Sequence, residues 1–172
     1  MSPSRERGGP PFTRFVQQSH SQFEGDAWLA QSVFQSGANF NGTAFHKSVR
    51  LSHASFEGGV SFGDSVFSGE AWFGNARFHG PLSFSGAKFD RLAWFGSAEF
   101  EEIAKFDGSR FEGEARFEGA EFDESVWFQN SQFVGMAHFD RAIFGKAGES
   151  TKTNFSNCHF ARPTSFQAAN FK

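Results

Sequence analysis

Phenylalanine recurs in this chain on a fixed beat. From Phe56 to Phe144 seventeen phenylalanines stand at alternating intervals of six and five residues, without a miss. A repeat of fixed period decides architecture before local propensity does, because every unit faces the same burial problem and solves it in the same way. The beat extends toward the N-terminus through Phe23, Leu29, Phe34, Phe40, Phe45 and Leu51. Leucine is the replacement in two of these slots, which marks them as positions that require a large apolar side chain. Phe supplies 27 aromatic residues, Trp four and Tyr none, the bias expected when one core slot is filled again and again.

The neighbours of each slot carry the local reading. Two residues earlier the side chain is small, as at Ala71, Ala76, Ala87, Ala93, Ala98, Ala104, Ser109 and Ala115. On an extended strand positions i−2 and i point the same way while i−1 points to the other face, so a small and a large residue share each inward side. Two residues after the slot come glycines or turn-tolerant polar residues, among them Gly42, Asp64, Gly69, Asn75, Gly86, Ser97, Gly108, Gly113 and Asn130, and these accept a bend at low cost. A helix is excluded. Steps of five and six residues rotate a helical side chain by roughly 500° and 600°, which scatters the phenylalanines around the cylinder, and a glycine nearly every turn costs about 1 kcal/mol each. The pattern predicts an all-β stack of very short strands joined by tight bends.

The units AKFDR, AEFEE, SRFEG and AEFDE, beginning at Ala87, Ala98, Ser109 and Ala120, resemble the pentapeptide repeat family: a small residue, a polar residue, a large apolar centre and two turn residues. The resemblance runs from about 23 to 171 and implies a right-handed four-sided parallel β-helix, a β-solenoid. Two departures stand out. The centre is Phe where the family more often has Leu, and every second unit carries an extra residue, as at Gly37, Gly59, Pro81, Ile103, Glu114 and Met136. One added residue on two of four sides makes a coil of about 22 residues, and about six and a half coils, roughly 30 Å long at strand spacing. A flattened two-sided helix of 11 residues per coil is the rival. The large planar residues just before the six-step slots recur at 22, which favours four sides.

Residues 1–22 read as a flexible arm followed by a degenerate first coil or cap, with Gln18 a poor core residue in the slot between Phe12 and Phe23. Residues 23–172 read as the solenoid. After Phe144 the next centre is Phe155, so five extra residues interrupt the beat, and a loop insertion near 145–154 is expected rather than a unit centred on Ser150, because a buried Ser would forfeit the apolar contact that each Phe makes.

The chemistry is sparse. The six histidines are dispersed, the lone Cys158 allows no disulfide framework, and there is no phosphate loop, dinucleotide fingerprint or zinc spacing; no enzyme, cofactor or metal is expected. The start MSPSRERGGPPF lacks the apolar stretch of a signal peptide, no segment is apolar enough to span a bilayer, and the cytoplasm is the expected location. A net charge of −3 gives no general attraction to nucleic acid or membrane.

Two surface features rise above this background. Trp28, Arg50, Trp72, Trp94, Arg116 and His138 fall at intervals of 22 and would line one outer face, either stabilising the stack by mutual contact or presenting the anchors typical of interfaces. Glu99, Glu101, Glu102, Asp107, Glu112, Glu114, Glu118, Glu121, Asp123 and Glu124 form an acidic belt interrupted by Lys105, Arg110 and Arg116. The expected function is a rigid scaffold for an unidentified protein partner. The alternative, which the resemblance suggests, is a DNA-mimicking inhibitor or protector of a topoisomerase such as gyrase. A homodimer through the C-terminal coil is a further expectation, since an isologous contact there would cover open strand edges.

Overall fold

The structure is a computed structural model and describes residues 11–146 and 150–172; the expectation of a flexible arm, and part of that of a loop, falls outside the described residues. All regular structure among these residues is β, in two-residue strands. They form four parallel sheets of seven strands, the four faces of a β-solenoid. Face 1 runs from Val16–Gln17 to Thr153–Asn154, face 2 from Gln22–Phe23 to His159–Phe160, face 3 from Ala27–Trp28 to Thr164–Ser165 and face 4 from Val33–Phe34 to Asn170–Phe171. Trp72 pairs with Trp94 and Phe78 with Phe100, a step of 22 residues that excludes the two-sided rival, whose partners would lie 11 apart. Strands this short survive because their amides are used by the next coil: Phe95 N–H donates to Arg116 O at 2.7 Å and Ala93 N–H to Glu114 O at 2.9 Å, which satisfies backbone groups that burial would otherwise leave costly.

Every slot points inward. From Phe56 to Phe144 the seventeen phenylalanines are essentially inaccessible to solvent, and each ring stacks on the one 22 residues away, with centroids 4.6–5.4 Å apart on all four faces. Rings of faces 1 and 3 meet edge-on across the axis, as Phe95 does with Phe84 at 78° and Phe106 at 86°. Offset stacks and edge-to-face contacts are the favoured aromatic geometries, and a single residue type supplies both. The alanines two before the slot, such as Ala93, Ala98 and Ala115, are equally buried. Their small size leaves room for the rings.

The corners divide into two kinds. After the slots of faces 1 and 3 the second residue is left-handed throughout, whatever its type: Gly42, Asp64, Gly86, Gly108 and Asn130 leave face 1, while Gln31, His53, Asn75, Ser97, Gly119 and Arg141 leave face 3. A non-glycine there carries steric cost of about 1–2 kcal/mol. Gln31 has φ 59° and an exposed side chain, so Gln31→Gly is expected to raise stability by about 0.5–1 kcal/mol, the left-handed relief outweighing glycine's added chain entropy; a lowered midpoint in urea unfolding would contradict this. The glycines leaving face 2, Gly69, Gly113 and Gly135, are not left-handed, and their role is steric.

At the N-terminal end Phe12 bridges to and stacks on Phe34 at 4.7 Å, and Val16–Gln17 pairs with Ala38–Asn39. Gln18 is exposed and joins the stack through its backbone, which accepts from Thr43 Oγ–H at 2.7 Å. Farther on, Val126 pairs with Thr153, a step of 27, and the step returns to 27 at Phe133 with Phe160 and Phe144 with Phe171. Five additional residues therefore enter between Phe144 and Thr153 without breaking any of the four faces. Ser150 is exposed.

Candidate partner-binding surface

The residue before each slot points outward, and on face 3 those residues are Trp28, Arg50, Trp72, Trp94, Arg116 and His138, adjacent strand by strand. All six sequence-predicted members lie on one face. The Arg50 guanidinium sits between two indoles, 4.8 Å from the Trp28 ring and 5.6 Å from that of Trp72, a cation–π sandwich. Trp72 meets Trp94 edge-on at 5.1 Å and 85° and donates its indole N–H to Glu70 at 3.0 Å. Trp94 lies over Gly74 and Gly96: a Cβ at Gly74 would come within 2.9 Å of the indole, so only glycine leaves room for it. Farther along, Arg116 is 2.9 Å from Glu114, and His138 Nε2 is 3.0 Å from the same carboxylate but out of line for a hydrogen bond. Exposure is uneven. Trp28 is 69% exposed, whereas Trp72 and Trp94 are half-buried by their neighbours.

The ladder ends beside Asp140, whose carboxylate lies 3.9 Å from His138 Nδ1. A hydrogen bond from the Ser165 hydroxyl holds its pKa below the ordinary value of 3.8, partial burial opposes the shift, and the Gln167 N–H at 2.7 Å, His138 and Arg141 add to the lowering. A depressed carboxyl favours the folded state above its unfolded pKa, and that contribution is lost as pH falls through the native value. Ser165→Ala is therefore expected to raise the Asp140 midpoint toward 3.8 in an NMR titration; an unmoved midpoint would remove the hydroxyl as the cause.

The acidic belt is contiguous only in sequence. Folding sends Asp107, Glu112, Glu114 and Glu118 to other sides, while Glu99, Glu101, Glu102, Glu121, Asp123 and Glu124 gather where two adjacent coils leave face 4. Glu99 pairs with Arg77 at 3.2 Å, Glu101 with His79 at 2.8 Å and Asp123 with Lys146 at 3.6 Å. Glu112 pairs with Arg110 at 2.6 Å, and Asp107 accepts from Ser85 at 2.8 Å. Glu102, Glu118, Glu121 and Glu124 form no ion pair among the described residues. The gathered carboxylates span one interstrand step along the axis, about 5 Å.

Among the described residues no three His, Cys, Asp or Glu side chains are placed to hold a metal ion. Cys158 is half-buried, donates its thiol to Phe128 O at 2.8 Å, and has its pKa pushed up by burial. Such a thiol stays protonated and a poor nucleophile. Among the described residues no helix is long and apolar enough to cross a membrane.

A family model described as "Pentapeptide repeats (9 copies)" matches residues 19–66, 40–88, 62–110 and 106–147, well over half of the chain. The chain belongs to the pentapeptide repeat family. No curated protein matches it. Within this pentapeptide repeat protein the sequence reading treated the small inward slot as a matter of size alone and missed a hydrogen-bond ladder in it. On face 2 that slot holds Thr43, Ser65, Ser109, Ser131 and Cys158, each donating to a backbone carbonyl of the coil below: Gln18, Phe40, Phe84, Phe106 and Phe128. The signal was present, since hydroxyls recur there at 22 or 44 residues. Ala87 is the one gap between Thr43 and Ser131.

Proposed function

We propose that this pentapeptide repeat protein is a non-enzymatic cytoplasmic scaffold that binds a partner protein through face 3, with Trp28 as the principal anchor. The observation that carries this is the exposure of Trp28 at one end of an otherwise self-stacked row. Arg50, Trp72 and Trp94 are occupied with one another and hold the row rigid, so Trp28 meets a partner without first being ordered, and rigid Trp and Arg side chains are the residue types that dominate binding energy. The same reading extends to a second copy of the chain at the C-terminal coil, where Phe166 and Phe171 are 36% and 56% exposed and an isologous contact would cover both. DNA mimicry toward a topoisomerase ranks below it: a duplex carries its phosphates along the axis, and the carboxylates here gather around two coils with Arg77, His79 and Lys146 among them.

The test compares interactors retained by the wild-type chain and by Trp28→Ala. Because Trp28 is so exposed, the substitution is expected to leave the melting temperature nearly unchanged while weakening the partner by about 2 kcal/mol, roughly thirtyfold. Equal retention by both proteins would refute face 3 as the binding surface.

A further inference from the structure

A hollow of about 420 Å³ lies on face 1, away from the tryptophan row. Its origin is visible coil by coil. The extra residue at the corner from face 4 to face 1 is Phe15, Gly37, Gly59, Pro81 and Ile103 in successive coils, and the outward residue of the following strand is Gln17, Asn39, Ser61, Ser83 and Lys105. Large side chains at both ends and smaller ones between them, Gly37, Gly59 and Pro81 at the corner and Asn39, Ser61 and Ser83 on the strands, leave a depression walled by Phe15 on one side and by Ile103 and Lys105 on the other. Its exposed apolar walls come from Phe15, Pro81 and Ile103, since the side chains of Val60 and Leu82 point into the core. Phe15 and Ile103 are 52% and 40% exposed, so apolar surface stands open to water here.

The polar groups of the floor are already engaged with one another. Ser61 Oγ–H and Gly63 N–H both donate to Asn41, and Ser83 donates to Ser85, which donates to Asp107. Lys105 differs: it is exposed and forms no ion pair among the described residues, Asp107 two residues on included. The hollow thus offers apolar walls and one free cation, and Ile103 and Lys105 project from the same short segment about 7 Å apart.

We propose that the face 1 hollow docks the C-terminal residue of a partner protein, its apolar side chain against Pro81 and Ile103 and its terminal carboxylate on Lys105. Charge complementarity selects an anion, and a C-terminal Leu or Phe carries the apolar group and the carboxylate on a single residue. A free small molecule is disfavoured because the hollow is open outward and would leave much of it wet, whereas ligand pockets cover most of their ligand; a residue held by a larger partner does not need enclosure. The inference rests on the scaffold reading for the nature of its partner, but it uses a different face and is tested without that partner.

The probe is acetyl-Gly-Gly-Gly-Leu with a free carboxylate, titrated to millimolar concentration against the labelled protein and followed by backbone amide NMR. Shifts are expected at Ser61, Ser83, Ile103 and Lys105. The C-terminally amidated peptide and the Lys105→Gln protein are each expected to bind about tenfold more weakly. Ser83→Trp should fill the hollow and abolish the shifts; it should fold, because Trp127 occupies the same outward slot on the same face. Trp28→Ala should bind the peptide as the wild type does, so loss of partner retention by that variant and loss of peptide binding by the face 1 variants are separate results. Absence of shifts at millimolar peptide, equal binding of the amide, or unchanged binding by Lys105→Gln would overturn the proposal.

Discussion

Phe95→Ala is expected to lower the free energy of unfolding by about 3–5 kcal/mol, the range for truncating a large buried side chain and leaving part of its volume empty. Phe95 is fully buried. It stacks on Phe73 and on Phe117, both at 4.9 Å, and meets the edges of Phe84 and Phe106 at 5.5 and 5.4 Å. Its removal opens a void in the middle of a ladder whose members are fixed by backbone pairing from above and below, so collapse around the void is poor. Phe171 is the control: it stacks only on Phe144, at 4.6 Å, and is 56% exposed, so Phe171→Ala should cost about 1 kcal/mol. Urea unfolding of the two variants decides the matter. Equal losses would mean that the inward ladders do not set the stability of the central coils.

The period made the fold legible, because a slot that repeats without a miss leaves one way to bury it, and the 22-residue recurrence of Trp72 and Trp94 separated four sides from two. The same recurrence places Trp28, Arg50 and the rest of the row on one face. What the residues concealed were features that depend on the third dimension at finer grain. Glu99 to Glu124 looks like one acidic block, but a run of that length exceeds a full coil of 22 and is carried around the solenoid, so proximity in sequence is not proximity on the surface. Glycine and serine were each read for a single property. Gly86 and Gly113 both follow a Phe by two residues, yet the first is left-handed with φ 70° and the second is not. Ser109 fits the slot by its size, but its hydroxyl also bonds the Phe84 carbonyl at 3.0 Å.

Gly113→Ala is the sharper test of that division, and a loss of about 2–3 kcal/mol is expected from the addition of one methyl group. A Cβ built at Gly113 would run into the carbonyl carbon and oxygen of Arg91 in the coil below and come within 2.8 Å of its Cα. These atoms are backbone, held by the parallel pairing of Ala93 with Ala115 and of Phe89 with Phe111, and cannot swing aside as a flexible side-chain tip would. Relief requires the two coils to separate at that corner, which lengthens neighbouring hydrogen bonds and loosens the phenylalanine stacks beneath; overpacking of this kind typically costs about 1–3 kcal/mol. Gly108→Ala separates the two causes. Its added Cβ meets nothing nearer than 3.9 Å, but its φ is +66°, so its cost of about 1–2 kcal/mol is conformational. Asparagine, which tolerates the left-handed region, should restore much of the stability at position 108, as Asn130 occupies the same corner, and should restore none at position 113. If Gly113→Asn matches the wild type in urea unfolding, close approach of the coils is not what keeps glycine there.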